Sequence, residues 1–281
     1  MHPLLAAVKM LRPLNLVLGA LAVLITAALM PAWPTWSAIG WAIATVLPFN
    51  AAANALNDYF DYPIDKVNRP DRPLVSGALP REAGWLLAVV LFVAGALAAF
   101  QLPPAAQRIA LLIALPLMVL YTPVFKGLPL VGNAVVALIL GLAFLFAGAA
   151  FGHLELMWAP FGLAAGFNLL REVVKDVEDV AGDAQAGVGT FAVRWGVSGG
   201  IKLALILTLL LMFSCLLPYI LEVYGTTYLV AVIIGVELPL LYTFVYLDKH
   251  PNPVGAGWVA KVLKVDILAG LLAIYLSKFD L

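Results

Sequence analysis

Charge is scarce in this sequence. Only 11% of its 281 residues are Asp, Glu, Lys or Arg, and 64% are hydrophobic, against about 25% and 45–50% in a soluble domain. A water-soluble fold cannot hide that much apolar surface, so lipid must be the solvent for most of it. Net charge is missing as well, with 16 basic and 16 acidic residues, which argues against a nucleic-acid binder. Cysteine occurs once, at Cys215, which excludes an internal disulfide and a cysteine-type zinc site. The three histidines, His2, His153 and His250, stand too far apart for ligand spacing. No Ser/Gly linker or low-complexity tail interrupts the chain, and residues 1–281 read as one domain.

Long apolar runs are what the chain has instead. A spanning helix takes about 20 mostly apolar residues. Nine segments qualify, near 11–30, 37–57, 82–101, 107–125, 128–150, 156–174, 200–221, 226–247 and 256–277. Backbone in lipid must satisfy its own hydrogen bonds, so these are expected to be helices. The first run is longer than a secretory signal core and reads as an uncleaved helix. Lysine and arginine placement puts the N-terminus in the cytoplasm. Lys9, Arg12, Lys66, Arg69, Arg72, Arg81, Lys126, Arg171, Lys175, Arg194, Lys202 and Lys249 then lie inside, and Arg108 and Lys278 outside. The expectation is a multi-pass protein of the plasma membrane.

Two inner connections, roughly 58–81 and 172–199, are long and dense in charge, and long connections are usually functional or disordered. The first contains Asn57-Asp58-Tyr59-Phe60-Asp61-Tyr62-Pro63-Ile64-Asp65. Its Asn57, Asp61 and Asp65 recur every fourth residue, the spacing of one helical face. Pro63 would clash with the carbonyl of Tyr59, so the helix is expected to kink or end there. Asp65 then belongs to a new short helix.

In the second connection Glu172, Asp176, Asp179 and Asp183 form a single helical stripe. Like charges so spaced repel, and a cation in front of the stripe removes the repulsion. Magnesium suits such oxygen donors, because it binds one or two carboxylates and completes its shell with water and substrate phosphate. Arg69 and Arg72 follow the first stretch, and Tyr121 and Lys126 close the fourth span at the same face. Guanidinium and ammonium groups beside a metal site fit a metal–diphosphate complex. An apolar bundle beneath adds a hydrocarbon tail to that diphosphate, and the ligand implied is a prenyl diphosphate. Metal and basic groups stabilise departing diphosphate, and a dry site protects the allylic cation from water. Tyr59, Phe60 and Tyr62 are placed to face such a cation, or to pack in the core.

At these residues the chain resembles the UbiA superfamily of intramembrane prenyltransferases. The resemblance rests on Asn57/Asp61/Asp65, on Asp179/Asp183, on Arg72-Pro73 followed by Ser76-Gly77, and on Tyr121 with Lys126. It implies an all-α integral membrane fold of nine helices in a U-shaped bundle around a central cavity. The 2–3 and 6–7 loops would form a cytoplasmic cap, and two magnesium ions would bridge the diphosphate between the motifs. Asn57, Asp61, Asp65, Asp179 and Asp183 are then the metal ligands. Arg69, Arg72, Tyr121, Lys126 and Lys175 hold diphosphate, and Asp58, Asp61, Asp176 and Asp179 form the catalytic set. Asp58 and Asp176 are alternatives for taking the acceptor's proton. The wording around the motifs is most similar to enzymes that form the second ether bond of archaeal-type lipids, which implies geranylgeranyl transfer to geranylgeranylglyceryl phosphate. Aromatic, quinone-precursor, chlorophyllide and haem acceptors remain open.

Glu237, Lys261, Lys264 and Asp266 lie at membrane depth, where an ionisable residue is a functional candidate. Lys264 is the candidate for binding an acceptor phosphate. Pairing with Asp266 or Glu237, or reaching the inner surface, is the other reading. Glu237 alone favours a cation-coupled transporter, whose acids would sit near the midplane; the acids here gather at helix ends.

Overall fold

The computed structural model describes residues 2–280, the side chains of Asn68 and Asp280 excepted. Helix is the regular structure throughout the described residues. Contacts divide the chain into two compact units, residues 1–126 with 142–157, and residues 127–141 with 158–281.

The first unit opens with α1 (Pro3–Leu11) and α2 (Pro13–Leu29), bent by 47° at Arg12. Pro13 disfavours a helical residue before it, and Arg12 takes φ 55°, ψ 72°. Next come α3 (Trp36–Phe60), α4 (Tyr62–Asn68), α5 (Arg81–Ala99), α6 (Pro104–Gln107), a π-helical stretch (Arg108–Ala114), α7 (Leu115–Leu120) and a π turn (Tyr121–Phe125). Thr35 caps α3 by accepting from Ala38 N at 3.2 Å. Small residues let α3 and α5 approach closely: a Cβ on Gly95 would stand 2.4 Å from the Phe49 ring. Such small-residue contacts are how helices associate where lipid removes the hydrophobic drive.

α8 (Val131–Phe151) contributes its first half to the second unit and its second half to the first. The second unit continues with α9 (Trp158–Glu178), α10 (Val180–Gln185), α11 (Phe191–Ile220, kinked at Gly196), α12 (Thr226–Val232), a π turn (Ile233–Glu237), α13 (Leu238–Lys249) and α14 (Pro253–Leu276). Its core gathers Phe167, Leu170, Val174 and Val177 of α9 with Ala204 and Leu211 of α11 and Val259 and Leu263 of α14.

Among the described residues six helical runs are long and apolar enough to cross a membrane, or seven if α1 and α2 make one bent span. Large apolar side chains such as Leu97, Leu112 and Val265 are exposed, as lipid-facing residues are. The remaining two expected segments, near 156–174 and 256–277, are helical as α9 and α14 but stand outside that apolar set. Arg171, Glu172, Lys175, Asp176 and Glu178 close α9, and Lys261, Lys264 and Asp266 interrupt α14.

Candidate active site

In the first unit the acidic stretch is built on a helix break. α3 ends at Phe60, Asp61 takes φ −75°, ψ 1°, and α4 restarts with Pro63 in its first turn. The missing N–H of proline is no loss there. The Tyr59 carbonyl, freed from a partner at Pro63, accepts from Nε and an Nη of Arg81, both at 3.3 Å. Asp65 lies in the first turn of α4, as its spacing and Pro63 together imply.

Asn57, Asp58 and Asp61 each have a partner from a distant element, and Asp65 has one from the connection that follows α4. Asn57 accepts a short hydrogen bond from the Thr122 hydroxyl. Asp61 accepts from Lys126 Nζ at 2.5 Å. Both partners are presented by the π turn at the end of α7, where Lys126 N donates to Tyr121 O at 2.8 Å, five residues back. Pro123 lacks an N–H and suits this opened turn. Arg72 donates to Asp58 at 2.9 Å and to Asp65. Arg12 reaches Asp58 at 2.6 Å and Asn54 at 3.2 Å. Asn54 holds the bend in return, donating to Leu11 O at 3.1 Å. Burial, above all, pushes the Asp65 carboxyl above its ordinary range; Arg72 opposes this, and Asp61 and Asp58 add to it.

Arg69 follows α4, its N–H donating to Asp65 O at 2.8 Å, and Tyr121 opens the π turn. The aromatic rings beside the stretch are engaged by the protein's own cations. Arg81 lies 4.7 Å from the Tyr59 ring and 5.2 Å from that of Tyr62, and Lys66 lies 4.6 Å from Tyr62.

In the second unit the acids do not form the single continuous stripe expected. α9 stops at Glu178, Asp179 takes φ −90°, ψ 4°, and α10 begins at Val180. Glu172 needs no outside cation, since Arg171 pairs with it at 2.9 Å and Lys175 at 3.3 Å. Asp176 accepts from Asn133 Nδ2 at 2.9 Å. Asp176 lies beyond the expected end of the sixth span, and burial pushes its carboxyl up to about 7. The Asn133 hydrogen bond and Lys175 oppose that shift, and Glu172 and Asp183 reinforce it. Asp183 is buried at the start of α10 and accepts through its backbone from Val188 N at 2.9 Å.

Lys264 is half-buried on α14. Among the described residues, Glu237 Oε1 and Asp266 Oδ2 have no hydrogen-bond partner.

Sequence reading missed Arg12, which passed for a membrane-flanking cation, and also Thr122 and Asn133. Arg12-Pro13 carries a faint signal in its proline. Thr122 and Asn133 carry none, because their partners lie 65 and 43 residues away.

Oxygen donors alone make up both acidic stretches, the donor type that magnesium prefers. Among the described residues no three His, Cys, Asp or Glu side chains close on one point; in the first unit the carboxylates face Arg12, Arg72 and Lys126. Acid and cation therefore alternate at hydrogen-bond distance in the first unit.

The model of the UbiA prenyltransferase family matches residues 16–263. A digeranylgeranylglyceryl phosphate synthase of Natronomonas pharaonis is 38% identical over 227 residues, 80% of this chain and 82% of that protein. The synthase of Methanopyrus kandleri is 34% identical over 275 residues, covering 97% and 98%. A solved structure of a digeranylgeranylglyceryl phosphate synthase superposes with TM-score 0.77 at 28% identity, covering 100% of both chains. A UbiA homologue from Archaeoglobus fulgidus, bound to DMAPP and Mg2+, matches in fold with TM-score 0.71 at 17% identity, over 95% and 98% of the two chains.

Proposed function

The chain belongs to the UbiA prenyltransferase family, and on that footing we propose that it transfers a geranylgeranyl group from its diphosphate to geranylgeranylglyceryl phosphate in ether-lipid synthesis. The observation that carries this reading is the placement of Lys126 on Asp61 and of Arg72 on Asp58 and Asp65. Cations already touching the acids of the first stretch are positioned to turn onto phosphate oxygens. The similarity to synthases of this activity supports the choice of acceptor.

Asn57, Asp61, Asp65, Asp179 and Asp183 would hold magnesium, which supplies charge stabilisation to the departing diphosphate. Arg69, Arg72, Tyr121, Lys126 and Lys175 bind the diphosphate. Lys126 and Arg72 leave their carboxylates for it, and Lys175 leaves Glu172. Lys264 binds the acceptor phosphate. The C1–O bond to diphosphate breaks with its electron pair leaving on oxygen, and the acceptor hydroxyl oxygen bonds to the allylic C1. Within the catalytic set Asp58, Asp61, Asp176 and Asp179, that hydroxyl's proton passes to Asp58 or Asp176.

The same reading takes residues 1–281 as one catalytic domain. Its nine spans are the segments near 11–30, 37–57, 82–101, 107–125, 128–150, 156–174, 200–221, 226–247 and 256–277. The two charged connections cap it on the cytoplasmic side of the cell membrane, where the lysines and arginines concentrate. An acceptor screen with labelled geranylgeranyl diphosphate in detergent, with and without EDTA, tests it. Magnesium-dependent labelling of geranylgeranylglyceryl phosphate is the expected result. Labelling of an aromatic, chlorophyllide or haem acceptor in its place would reassign the acceptor, and no transfer to any of them would overturn the reading.

A further inference from the structure

Two acids compete for the acceptor's proton, and their surroundings differ. Asp58 is 3% exposed and is bound by two guanidinium groups, Arg12 at 2.6 Å and Arg72 at 2.9 Å. Arg12 still holds Asp58 in an ion pair when Arg72 turns to the diphosphate. Asp176 forms no ion pair among the described residues. Its hydrogen bond comes from a neutral amide, Asn133 Nδ2 at 2.9 Å to Oδ2, which leaves Oδ1 free to accept.

Asn133 is itself 7% exposed and stands in the first turn of α8, one element away from the α9 that carries Asp176. A carboxylate cannot donate, so the amide must present its N–H₂ edge to it. That contact fixes the carboxylate's rotation without adding charge. The charged groups around Asp176 are Glu172 on the same helix, Lys175 beside it and Asp183 from α10. Glu172 is already neutralised by Arg171 and Lys175.

We propose that Asp176 is the carboxylate that takes the proton of the acceptor hydroxyl, and that Asn133 is the positioning residue that aims it. This assignment rests on the function proposed above. In the step, the hydroxyl O–H bond breaks and its proton goes to Asp176 Oδ1. The hydroxyl oxygen's electron pair forms the ether bond to C1, and diphosphate has left with the C1–O pair. A neutral donor is the suitable partner for such a group. It orients the base, yet depresses its basicity less than an arginine does.

The test is steady-state transfer by the purified wild type, N133A, D176N and N133A/D176N, with saturating magnesium, geranylgeranyl diphosphate and geranylgeranylglyceryl phosphate. N133A is expected to lower kcat about 10- to 100-fold, within the range that general-base catalysis contributes. KM for the prenyl diphosphate should stay within about twofold. Loss of the donor removes support for the charged carboxylate, so the acidic limb of the pH–rate profile moves up by about one pH unit. The double variant should be no slower than D176N alone.

Equal, multiplying losses from the two substitutions, or an unmoved acidic limb in N133A, would overturn the assignment. If N133A does not purify as a monodisperse protein, N133S carries the same comparison, with D176N as its background. A wild type that transfers nothing overturns the proposed function and this inference with it. A wild type that transfers while N133A matches it overturns the inference alone.

Discussion

Asp61 and Asp179 adopt nearly the same backbone conformation, φ −75°, ψ 1° and φ −90°, ψ 4°. Each stands at the break between a long helix and a short one, and each is followed four residues later by another acid. Asp65 N donates to Asp61 O at 2.8 Å, and Asp183 N to Asp179 O at 3.0 Å. These dihedrals lie in the sparsely populated region where many active-site residues sit. The two stretches are therefore local repeats of one device: a helix end, an acid at the break, and a second acid in the first turn beyond.

If both acids hold magnesium, removing either should abolish transfer. Asp61→Ala and Asp179→Ala are each expected to lower transfer by about 100-fold or more, on the order of 3 kcal/mol of transition-state stabilisation. EDTA should stop the wild type, and added magnesium should restore it. Initial rates with labelled prenyl diphosphate decide the matter. Transfer surviving in EDTA or in both variants would dispose of the metal assignment.

Thr122 donates to Asn57, and Lys126, four residues on, donates to Asp61. One π turn thus positions the first two oxygen donors of the first stretch. Thr122→Val keeps the shape and removes the donor, leaving Asn57 free to rotate. The expected result is a magnesium requirement raised roughly 5- to 10-fold, about 1 kcal/mol for a lost hydrogen bond, with kcat at saturating metal within about twofold. Thr122→Ser should restore the wild-type requirement. A magnesium titration of initial rate checks this, and equal requirements in Thr122→Val and wild type would remove Thr122 from the site.

Local rules made one half of this device legible in the sequence. Pro63 forbids a continuous helix through Tyr59, so the break before Asp65 follows from residue types alone. Asp179 has no proline near it, and a four-and-three spacing reads equally well as an unbroken stripe. Helix breaks without Pro or Gly leave no local trace. The apolar runs were legible because lipid imposes their length. Where charge enters them, in α9 and α14, hydropathy no longer separates a span from a buried helix. Arg12 was visible as a cation but its target was not, because positive-inside flanking explains any arginine at a helix end. Pairings such as Arg12–Asp58 and Asn133–Asp176 span more than 40 residues and depend on packing that no local pattern encodes.

Arg12 provides a stability test of that packing. It bridges the α1–α2 bend to α3 through Asn54 and Asp58, and Asp58 is buried. Arg12→Ala leaves Arg72 as the remaining cation on Asp58 and frees the acceptor oxygen Oδ1 of Asn54. Breaking a partly buried ion pair on one side is expected to destabilise the protein by about 2 kcal/mol, less than for a fully buried pair because Arg12 is partly exposed. Melting temperature in detergent should fall by several degrees, and Arg12→Lys should recover less than half, since one ammonium cannot serve both acceptors as the fork does. An unchanged melting temperature in Arg12→Ala would show that the bend does not depend on this contact.

Asp176 should reveal itself in stability independently of turnover. Its carboxyl is pushed up to about 7 in the folded protein, first by burial, while an unfolded chain holds aspartate near 3.9. Between those values the folded state binds the extra proton, so stability contributed by this group falls as pH rises from about 4 to about 7 and is level above. Asp176→Asn stays neutral throughout and keeps a side chain of the same shape. In EDTA, Asp176→Asn should therefore melt with wild type near pH 4 and above it at pH 8, by about 4 kcal/mol for a carboxyl raised from near 3.9 to about 7. The difference between the two melting curves isolates this residue from every other titrating group. A difference that does not change with pH would mean that Asp176 is ionised at its ordinary pKa, and such a carboxylate is too weak a base at neutral pH for the role assigned to it. The expected outcome has a second edge: the variant that is more stable at pH 8 is also the one that has lost transfer, as when an active site keeps a charge that the fold would shed.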